Sequence, residues 1–402
     1  MGRNTKEMRE YEMNILEEIQ NCPVEWKELG EVCSVKKGKQ LNKNLLTEDG
    51  LYPAYNGGQT YSGRTNDYNV EANTIIVSQG GASAGFVNFV DTKFWANAHC
   101  YYILPDETRV NNRFVYHFVK MNQKYLMDFQ HGAGIPALKA DKLSKLLLPI
   151  PPLEIQEKIV QILDKMTEYV TELASELASR KKQYSFYRDK LLSFEDEVYQ
   201  VEWKTLGEVG KVSMCRRILK NQTSDNGEVP FYKIGTFGKV ATSYISRELF
   251  ENYKLRFSYP KLGDILISAS GTIGRTVVFN GEDSYFQDSN IVWLDHDESQ
   301  VLNRYLYYFY QMNPWKVSDG GTISRLYNGN IEKTRIPVPS LEIQSRIVQV
   351  LDNFDMVCNN LNIGLPKEIE LRQKQYEYFR DKLLTFIAEG VYTDSTVQTR
   401  PH

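Results

Sequence analysis

Two stretches of the chain carry apolar residues at alternating intervals of three and four, a spacing that predicts long helices with one apolar face. The first stretch follows Pro151 and Pro152, and its apolar residues stand at positions 155, 159, 162, 166, 169, 173, 177, 184, 187, 191 and 194. The second has them at positions 343, 347, 350, 354, 357, 361, 376, 379, 383 and 386. Such seams are typical of coiled coils, and two matched seams in one chain favour pairing with each other.

An internal repeat covers both ends of each helix. Three segments recur in the same order: Val24–Val32 as Val201–Val209, Pro149–Asp164 as Pro337–Asp352, and Tyr187–Phe194 as Phe379–Phe386. In the second pair 11 of 16 positions are identical, where unrelated sequences would share about one. Residues 33–72 and 210–262 align poorly, so the chain holds two similar frames with different inserts.

The two helical stretches differ in length at one place. The offset between the copies is 188 up to residue 354 and 192 from residue 376, so four residues were added between these points. The added segment contains Gly364 and Pro366, which break helical hydrogen bonding. We therefore expect a kink or a short break in the second helix.

These patterns predict an α+β protein with two repeated globular domains and two long helices that pair as an antiparallel coiled coil. A pseudo-twofold axis would then relate the domains. The expected parts are an N-terminal helical segment 1–23, a first domain 24–150, a central helix 151–200, a second domain 201–338, a C-terminal helix 339–390 with a break near 364–366, and a flexible tail 391–402.

Charge and composition exclude several classes of protein. The net charge is −3, but residues 24–150 hold 14 basic and 12 acidic residues and residues 201–338 hold 17 and 15. A local excess of two basic residues can favour contact with phosphates, or it can arise by chance. The five cysteines are scattered without a CxxC pair, which suits a cytoplasmic protein, and no apolar run approaches the ~20 residues of a membrane span. No nucleotide-binding, zinc-protease or hydrolase motif occurs, so the sequence predicts neither catalysis nor a cofactor or metal.

Basic clusters and polar loops are the candidates for contact with a nucleic acid. The basic clusters, suited to phosphates, are Lys36, Lys37, Lys39 and Lys43 in the first copy and Arg216, Arg217 and Lys220 in the second. The first polar loops contain Asn56, Gln59, Tyr61 and Arg64, and Lys233, Thr236 and Lys239. Amide and guanidinium groups can pair with base edges. Solvated surface and plain turns are the alternatives.

The loops after two apolar strands are stronger candidates, because they contain small polar residues that strand pairing does not require. They contain Ser78, Gln79, Gly80, Gly81 and Ser83 in the first copy, and Ser268, Ser270, Thr272 and Arg275 in the second. A structural hairpin is the alternative. Two later polar stretches, His131–Gly134 and Asp319–Thr322, precede the helices at equivalent places and could close the same surface or pack the helix entrance.

The order of these motifs resembles the specificity (S) subunit of type I restriction–modification systems over nearly the whole chain. The residues that carry it are the entry segments Val24–Val32 and Val201–Val209, the helix starts Pro149–Asp164 and Pro337–Asp352, and the helix ends Tyr187–Phe194 and Phe379–Phe386. Residues Gly364–Tyr376 are similar to the IC-type subgroup.

The resemblance implies a noncatalytic subunit that binds double-stranded DNA. In that family each globular domain is a target-recognition domain that recognises one half of a bipartite target, and the helices are spacers that set the gap. Two modification subunits, which bind S-adenosylmethionine and methylate adenine, dock on the S subunit, and restriction subunits add translocation and cleavage. The family has no invariant base-contacting residues, so the candidates above come from the loops of this sequence alone.

Two other classes of function remain open at this point. One is a coiled-coil adaptor with two protein-binding lobes, which would show no salt-dependent affinity for DNA. The other is a self-contained DNA methyltransferase or nuclease, which would act on DNA without a partner.

Overall fold

A computed structural model describes residues 17–19, 21–128, 137–194, 201–316 and 325–386. Most of the predicted N-terminal segment, the tail 391–402, and the polar stretches His131–Gly134 and Asp319–Thr322 lie outside these ranges. The chain folds as two compact units, one formed by residues 1–174 with 368–402 and the other by residues 175–367. Each unit therefore combines one globular domain with parts of both long helices. The limits 24–150 and 201–338 stay a prediction.

In unit 1 a four-stranded antiparallel sheet and a three-stranded sheet form the globular domain. The strands are β1 Glu25–Glu28, β2 Cys33–Lys37, β3 Tyr52–Tyr55, β4 Gly63–Thr65, β5 Thr74–Ser78, β6 Val87–Val90, β7 Trp95–Ala96, β8 Cys100–Pro105 and β9 Leu147–Ile150. The larger sheet has the order β2-β8-β5-β6 and the smaller one the order β4-β3-β7, in which β3 and β7 are parallel. Strands β1 and β9 pair separately, at the entrance to the long helix.

Unit 2 repeats this arrangement strand for strand. Its strands are β10 Glu202–Thr205, β11 Lys211–Ser213, β12 Val229–Tyr232, β13 Tyr244–Ile245, β14 Ile265–Ser268, β15 Thr276–Val278, β16 Tyr285–Phe286, β17 Ile291–Asp295 and β18 Arg335–Val338. The sheets have the orders β11-β17-β14-β15 and β13-β12-β16, and β10 pairs with β18. The predicted internal repeat is confirmed at the level of topology, although the inserted sequences differ.

Helices make up most of the remaining regular structure of the described residues, and residues 17–19 are also helical. The other helices are α1 Leu29–Val32, α2 Asn112–Met121, α3 Gln123–Asp128, α4 Ala140–Ser144, α5 Leu153–Ser193, α6 Leu206–Val209, α7 Arg247–Arg256, α8 Asn303–Tyr310, α9 Asn328–Glu332, α10 Leu341–Asn359 and α11 Leu365–Leu384. Short 3₁₀ helices cover Lys43–Leu45, Gly81–Ser83 and Lys220–Gln222.

One inner strand of each larger sheet, β5 in unit 1 and β14 in unit 2, is buried on both faces. In β5, Ile75 and Val77 belong to the core that lies against the helices, whereas Ile76 belongs to the core between the two sheets. In β14, Ile267 and Leu266 divide in the same way. Successive side chains of a strand point to opposite faces, so burial on both sides explains why these strands are continuously apolar.

The long helices pair antiparallel within each unit, as the two seams predict. In unit 2 the Tyr184 and Phe354 rings of α5 and α10 lie 6.3 Å apart. The charge of Lys181, earlier in α5, counteracts the rise that burial causes in the pKa of Cys358, later in α10. In unit 1 Ile159 of α5 shares a core with Leu383 of α11. The pseudo-twofold relation between the domains stays a prediction.

The second long helix is interrupted at the four-residue insertion. Helix α10 ends at Asn359 and α11 begins at Leu365, and between them the Gly364 N–H donates to the Asn360 carbonyl over 3.0 Å. A Cβ atom at Gly364 would lie 2.5 Å from the Met356 carbonyl oxygen. Only glycine allows this close approach of backbone to backbone, while Pro366 falls in the first turn of α11, where no N–H is needed.

A buried glutamine joins each domain to its long helix. Gln156 of α5 accepts from the Asn111 N–H over 2.7 Å, and its amide nitrogen donates to the carbonyls of Pro151 and Arg109 over 2.8 and 3.2 Å. It has no exposed surface. Because buried backbone groups must be paired, this one side chain satisfies three of them at the joint.

The same joint occurs in unit 2 with Gln344 of α10. Its Oε1 accepts from the Leu302 N–H over 2.9 Å, and its Nε2 donates to the carbonyls of Gln300 and Pro339 over 2.8 and 2.9 Å. The repeated Leu-Glu-Ile-Gln sequence thus encodes a docking contact as well as a helix start.

An arginine–aspartate ion pair lies about two helical turns after each glutamine along the long helix, with a different third partner in the two units. In unit 1 Arg113 donates to Asp164, which also accepts from His117 Nε2 over 2.7 Å. Since an ionised carboxylate only accepts, Nε2 carries the proton and Nδ1 accepts from the Tyr376 hydroxyl over 3.1 Å. In unit 2 Arg304 donates to Asp352 over 2.6 Å. There the Tyr308 hydroxyl, in place of the His117 imidazole, donates to the same carboxylate.

Burial and hydrogen bonding together govern the protonation of this cluster. Burial lowers the pKa of His117, the bond and charge of Asp164 offset only part of this effect, and the charges of Arg113 and Arg380 add to it. Burial raises the pKa of Asp164, but hydrogen bonds from His117 and Arg113 outweigh it and bring that pKa to about 2. The cluster therefore holds a neutral imidazole beside a charged carboxylate.

Replacing Gln156 with alanine should destabilise unit 1. The change leaves an N–H and two carbonyls of the joint without partners, each costing about 1–3 kcal/mol when buried, so we expect a total loss of at least about 3 kcal/mol. Denaturant unfolding measures this loss. Gln161→Ala, an exposed glutamine of the same helix, is the matched control and should change stability by less than about 0.5 kcal/mol. Equal effects of the two changes would contradict the docking role.

The stability of unit 1 should fall in mild acid. Because the pKa of folded His117 lies below its ordinary value of 6.5, the unfolded chain binds more protons below pH 6.5. The contribution is complete above that pH and is lost as the pH falls through the folded pKa, by at most ~1.4 kcal/mol per pH unit. Thermal unfolding between pH 7.5 and 5 should show this slope. His117→Gln, which can still donate and accept, should remove it. A slope that persists in His117→Gln would refute the assignment.

Candidate nucleic-acid interface

The candidate loops of unit 1 meet at one end of its two sheets. Strands β2, β3 and β5 end there at Lys37, Tyr55 and Ser78, and β8 begins there at Cys100. The register confirms the common edge, because Lys37 faces Tyr101 and Ser78 faces Cys100 across the larger sheet.

Hydrogen bonds between the loops fix their backbone. The Gly57 N–H donates to Cys100 Sγ over 3.1 Å, Ser78 Oγ donates to the Gly58 carbonyl over 3.1 Å, and the Gln79 N–H donates to the His99 carbonyl over 2.8 Å. Gly57 has φ +82°, and a Cβ there would lie 2.9 Å from the His99 oxygen. This end of the domain therefore presents an ordered backbone from which side chains project.

Many of the predicted residues of unit 1 lie at this surface. Those at the gathered strand ends and loops are Lys36, Lys37, Lys39, Asn56, Gln59, Tyr61, Gln79, Gly80, Gly81 and Ser83. Ser78 also lies there, but it is buried and holds the Gly58 loop. Arg64 is engaged inside the domain, since its guanidinium donates to the Gly50 and Leu51 carbonyls over 2.6 and 2.9 Å. Lys43 lies apart, at the start of a 3₁₀ helix.

The loops of unit 2 gather in the same way. Strands β11, β12 and β14 end at Ser213, Tyr232 and Ser268, and β17 begins at Ile291. The Ile234 N–H donates to Gln287 Oε1 over 3.0 Å, which ties the loop after β12 to the segment before β17. The two domains thus present equivalent surfaces built from different residues.

The predicted residues of unit 2 divide between exposed groups and groups that hold the loops. Arg217, Lys220 and Lys239 are exposed, and the Arg216 guanidinium lies over the Phe257 ring at 5.4 Å. The holding groups are Lys233 Nζ, which donates to Ser243; Thr236 Oγ1, which accepts from the Lys233 N–H; Ser268, whose hydroxyl donates to the Thr272 carbonyl; Ser270, which donates to Asn290; and Arg275 Nη1, which donates to the Phe237 carbonyl.

A third loop in each domain escaped sequence reasoning. In unit 1 it is Asn97–His99, just before β8, and in unit 2 it is Gln287–Asn290, just before β17. His99 is exposed, and its imidazole has no partner among the described residues. These segments are too short and ordinary to draw attention, and only the pairing of β8 with β5 brings them beside the predicted loops.

Within the described ranges, no group of three or more histidine, cysteine or acidic residues is placed to hold a metal ion. None of the described helices has the length and apolar character needed to span a membrane.

Comparison with known proteins explains the duplicated frame. The model of the type I restriction modification DNA specificity domain matches twice, over residues 23–179 and 200–371. The chain belongs to the family of type I DNA specificity subunits. It is 47% identical over 381 residues to a putative type I restriction enzyme specificity subunit of Haemophilus influenzae, covering 92% of this chain and 97% of that protein. It is 31% identical to the type I restriction enzyme EcoR124I/EcoR124II specificity subunit of Escherichia coli, covering 93% and 98%.

Solved structures of specificity subunits share the fold. A crystal structure of the type I S subunit from M. genitalium matches with a TM-score of 0.58 at 21% identity, covering 92% of this chain and 98% of that one. The resemblance inferred from the repeated motifs, and the fold class of two repeated domains with long helices, are therefore confirmed. As a specificity subunit the chain is not itself catalytic.

Removing two exposed cations from the surface of unit 1 should weaken DNA binding by the assembled specificity subunit. Lys37 and Lys39 lie at the gathered strand ends, so Lys37→Ala with Lys39→Ala should lower affinity for all sequences alike. The slope of log affinity against log salt concentration should fall by roughly 1 for each lysine.

A charge-matched control is available at the other end of the domain. Lys27→Ala with Lys145→Ala removes two cations that pair with Glu25 and Asp141 over 3.1 and 3.2 Å. We expect this control to keep the original salt slope in a titration at several salt concentrations. An equal fall in both double variants would show that the surface of unit 1 is not the phosphate-binding face.

Proposed function

We propose that each domain recognises one half of a bipartite, gapped DNA target. The carrying observation is that one frame holds different side chains at equivalent places. Asn56 follows β3 and Lys233 follows the equivalent strand β12. His99 precedes β8, which pairs with β5, and Asn290 precedes β17, which pairs with β14. Different donors and acceptors on a common backbone are what two unlike half-sites require.

We propose that the loop side chains at the gathered strand ends make the base contacts and that the neighbouring cations bind phosphates. The proposal includes partly exposed Gln79 and the exposed residues Lys37, Lys39, Asn56, Gln59, Arg216, Arg217, Lys220 and Lys239. Phosphate contacts position a protein on the duplex, and contacts with base edges specify the sequence. Arg64 and Ser78 serve the fold of unit 1 instead, as their hydrogen bonds support.

The long helices would set the gap between the half-sites. Helix α5 is continuous over 41 residues, about 60 Å at 1.5 Å per residue, and begins in one unit and ends in the other. We also propose that two modification subunits dock on the helices, that restriction subunits join them, and that the complex works in the cytoplasm. Phe186 and Tyr187 are exposed neighbours on α5 with ring centroids 5.4 Å apart, and they support docking because contiguous exposed apolar groups mark interaction surfaces.

Exchange of one domain tests the proposed function. Residues 33–148 would be replaced by the equivalent segment of another family member, and the complete modification complex would be expressed in a host whose methylated adenines are then mapped by sequencing. We expect only one half of the target to change, because each domain has its own core and its own joint to the helices.

The reciprocal exchange of residues 210–336 is the matched control and should change only the other half. A change in both halves would show that the domains do not recognise DNA independently. If the native complex shows no divided target at all, the result would instead favour an adaptor with protein-binding lobes.

A further inference from the structure

Arg325 enters the candidate surface of unit 2 from the segment that precedes α9. The Leu326 N–H donates to the Ala269 carbonyl over 2.9 Å, and Arg325 forms a backbone bridge with Ser270, in the loop after β14. This places the Arg325 side chain beside the gathered loops, although neither its neighbours in sequence nor the internal repeat singled it out.

Unit 1 has the same backbone arrangement with a different side chain. There the Leu138 N–H donates to the Gln79 carbonyl over 2.7 Å, and Ala137 bridges to Gly80. Arg325 thus stands where the first domain has alanine. Because unit 1 forms the same backbone contacts with alanine, the Arg325 side chain is not needed to hold this backbone in place.

The guanidinium of Arg325 belongs to a cluster that orients the third loop. Nη2 donates to Ser289 Oγ over 3.1 Å and to Asn290 Oδ1 over 3.3 Å, and the Ser270 hydroxyl donates to the same Oδ1 over 2.8 Å. Two donors on Oδ1 fix the orientation of the amide and leave Nδ2 directed away from them. All of these residues are partly exposed.

Several donors of the cluster remain free. Within the part of the chain that the structure describes, Arg325 Nε and Nη1 and Asn290 Nδ2 have no partner, and Arg325 forms no ion pair. By contrast Arg64 donates from Nε and Nη2 to carbonyls of its own domain. The cluster therefore presents N–H donors from two side chains while its acceptor is already occupied.

We infer that Arg325, held by Ser289 and Asn290, is a specificity-determining residue that recognises a guanine in the second half-site. A donor-only cluster fits the guanine edge in the major groove, where O6 and N7 are both acceptors, and disfavours adenine, whose N6 is a donor. The inference rests on the proposed function, since it assigns one contact within the half-site recognised by unit 2.

Selection from a randomised duplex tests the inference, using the full chain assembled with its modification subunits. The native complex should require guanine at one position of the second half-site. Arg325→Ala should lower the preference for guanine at that position about 5- to 150-fold, the range of a single well-placed base contact. The other positions and the first half-site should be kept.

A second variant separates recognition from a merely structural role. Glutamine at this position offers both a donor and an acceptor, the combination that pairs with adenine, so Arg325→Gln should move the preference from guanine to adenine. Lys261→Ala is the control, because it removes a cation paired with Asp295 at the opposite end of β17 and should leave the target unchanged.

Two results would overturn the inference while the proposed function stands. One is a divided target with no guanine requirement in the second half-site. The other is an even loss at every position of that half-site in both Arg325 variants, which would mean that the arginine only holds the loop or binds phosphate. If the native complex selects no divided target, the proposed function fails and the inference fails with it.

Discussion

The buried glutamine at the start of each long helix is the contact on which the rest of the architecture depends. Gln156 and Gln344 each satisfy one N–H and two carbonyls at the point where a globular domain meets its helix. Hydrophobic packing alone would hold the two surfaces together without fixing their register, whereas three directed hydrogen bonds permit one placement only. The ion pairs Arg113–Asp164 and Arg304–Asp352 add a second fixed point close by.

A single strand in each domain connects this joint to the candidate DNA-binding surface. Strand β8 begins at Cys100, beside the gathered loops, and ends at Pro105, a few residues before Asn111 at the joint. Strand β17 makes the same connection in unit 2. Six residues of strand span about 17 Å, so the loops can change without disturbing the joint. This separation explains how the two frames stayed alike while their inserts diverged.

The parts that could be predicted from the sequence are those encoded by local spacing or by repetition. The helical seams, the duplicated entry segments and the insertion around Gly364 each leave a direct trace in the order of residues. The hydrogen bonds of Arg64 and the position of His99 leave none, because they depend on how β4 pairs with β3 and how β8 pairs with β5. Sequence patterns locate loops, but only the fold shows which polar groups form hydrogen bonds that hold the loops in place.

The difference between the joints shows how a duplicated frame acquires separate properties without a change of topology. At equivalent places beside the ion pair, His117 faces Asp164 and Tyr308 faces Asp352. Both side chains donate to the carboxylate, so either one helps to satisfy this partly exposed charge. Only the imidazole can take up a proton, which it does in mild acid because burial lowers its pKa, and in unit 1 its other nitrogen also accepts from Tyr376 of α11. The first joint therefore couples the domain to both long helices through a titratable group, while the second achieves the same packing with a group that stays neutral.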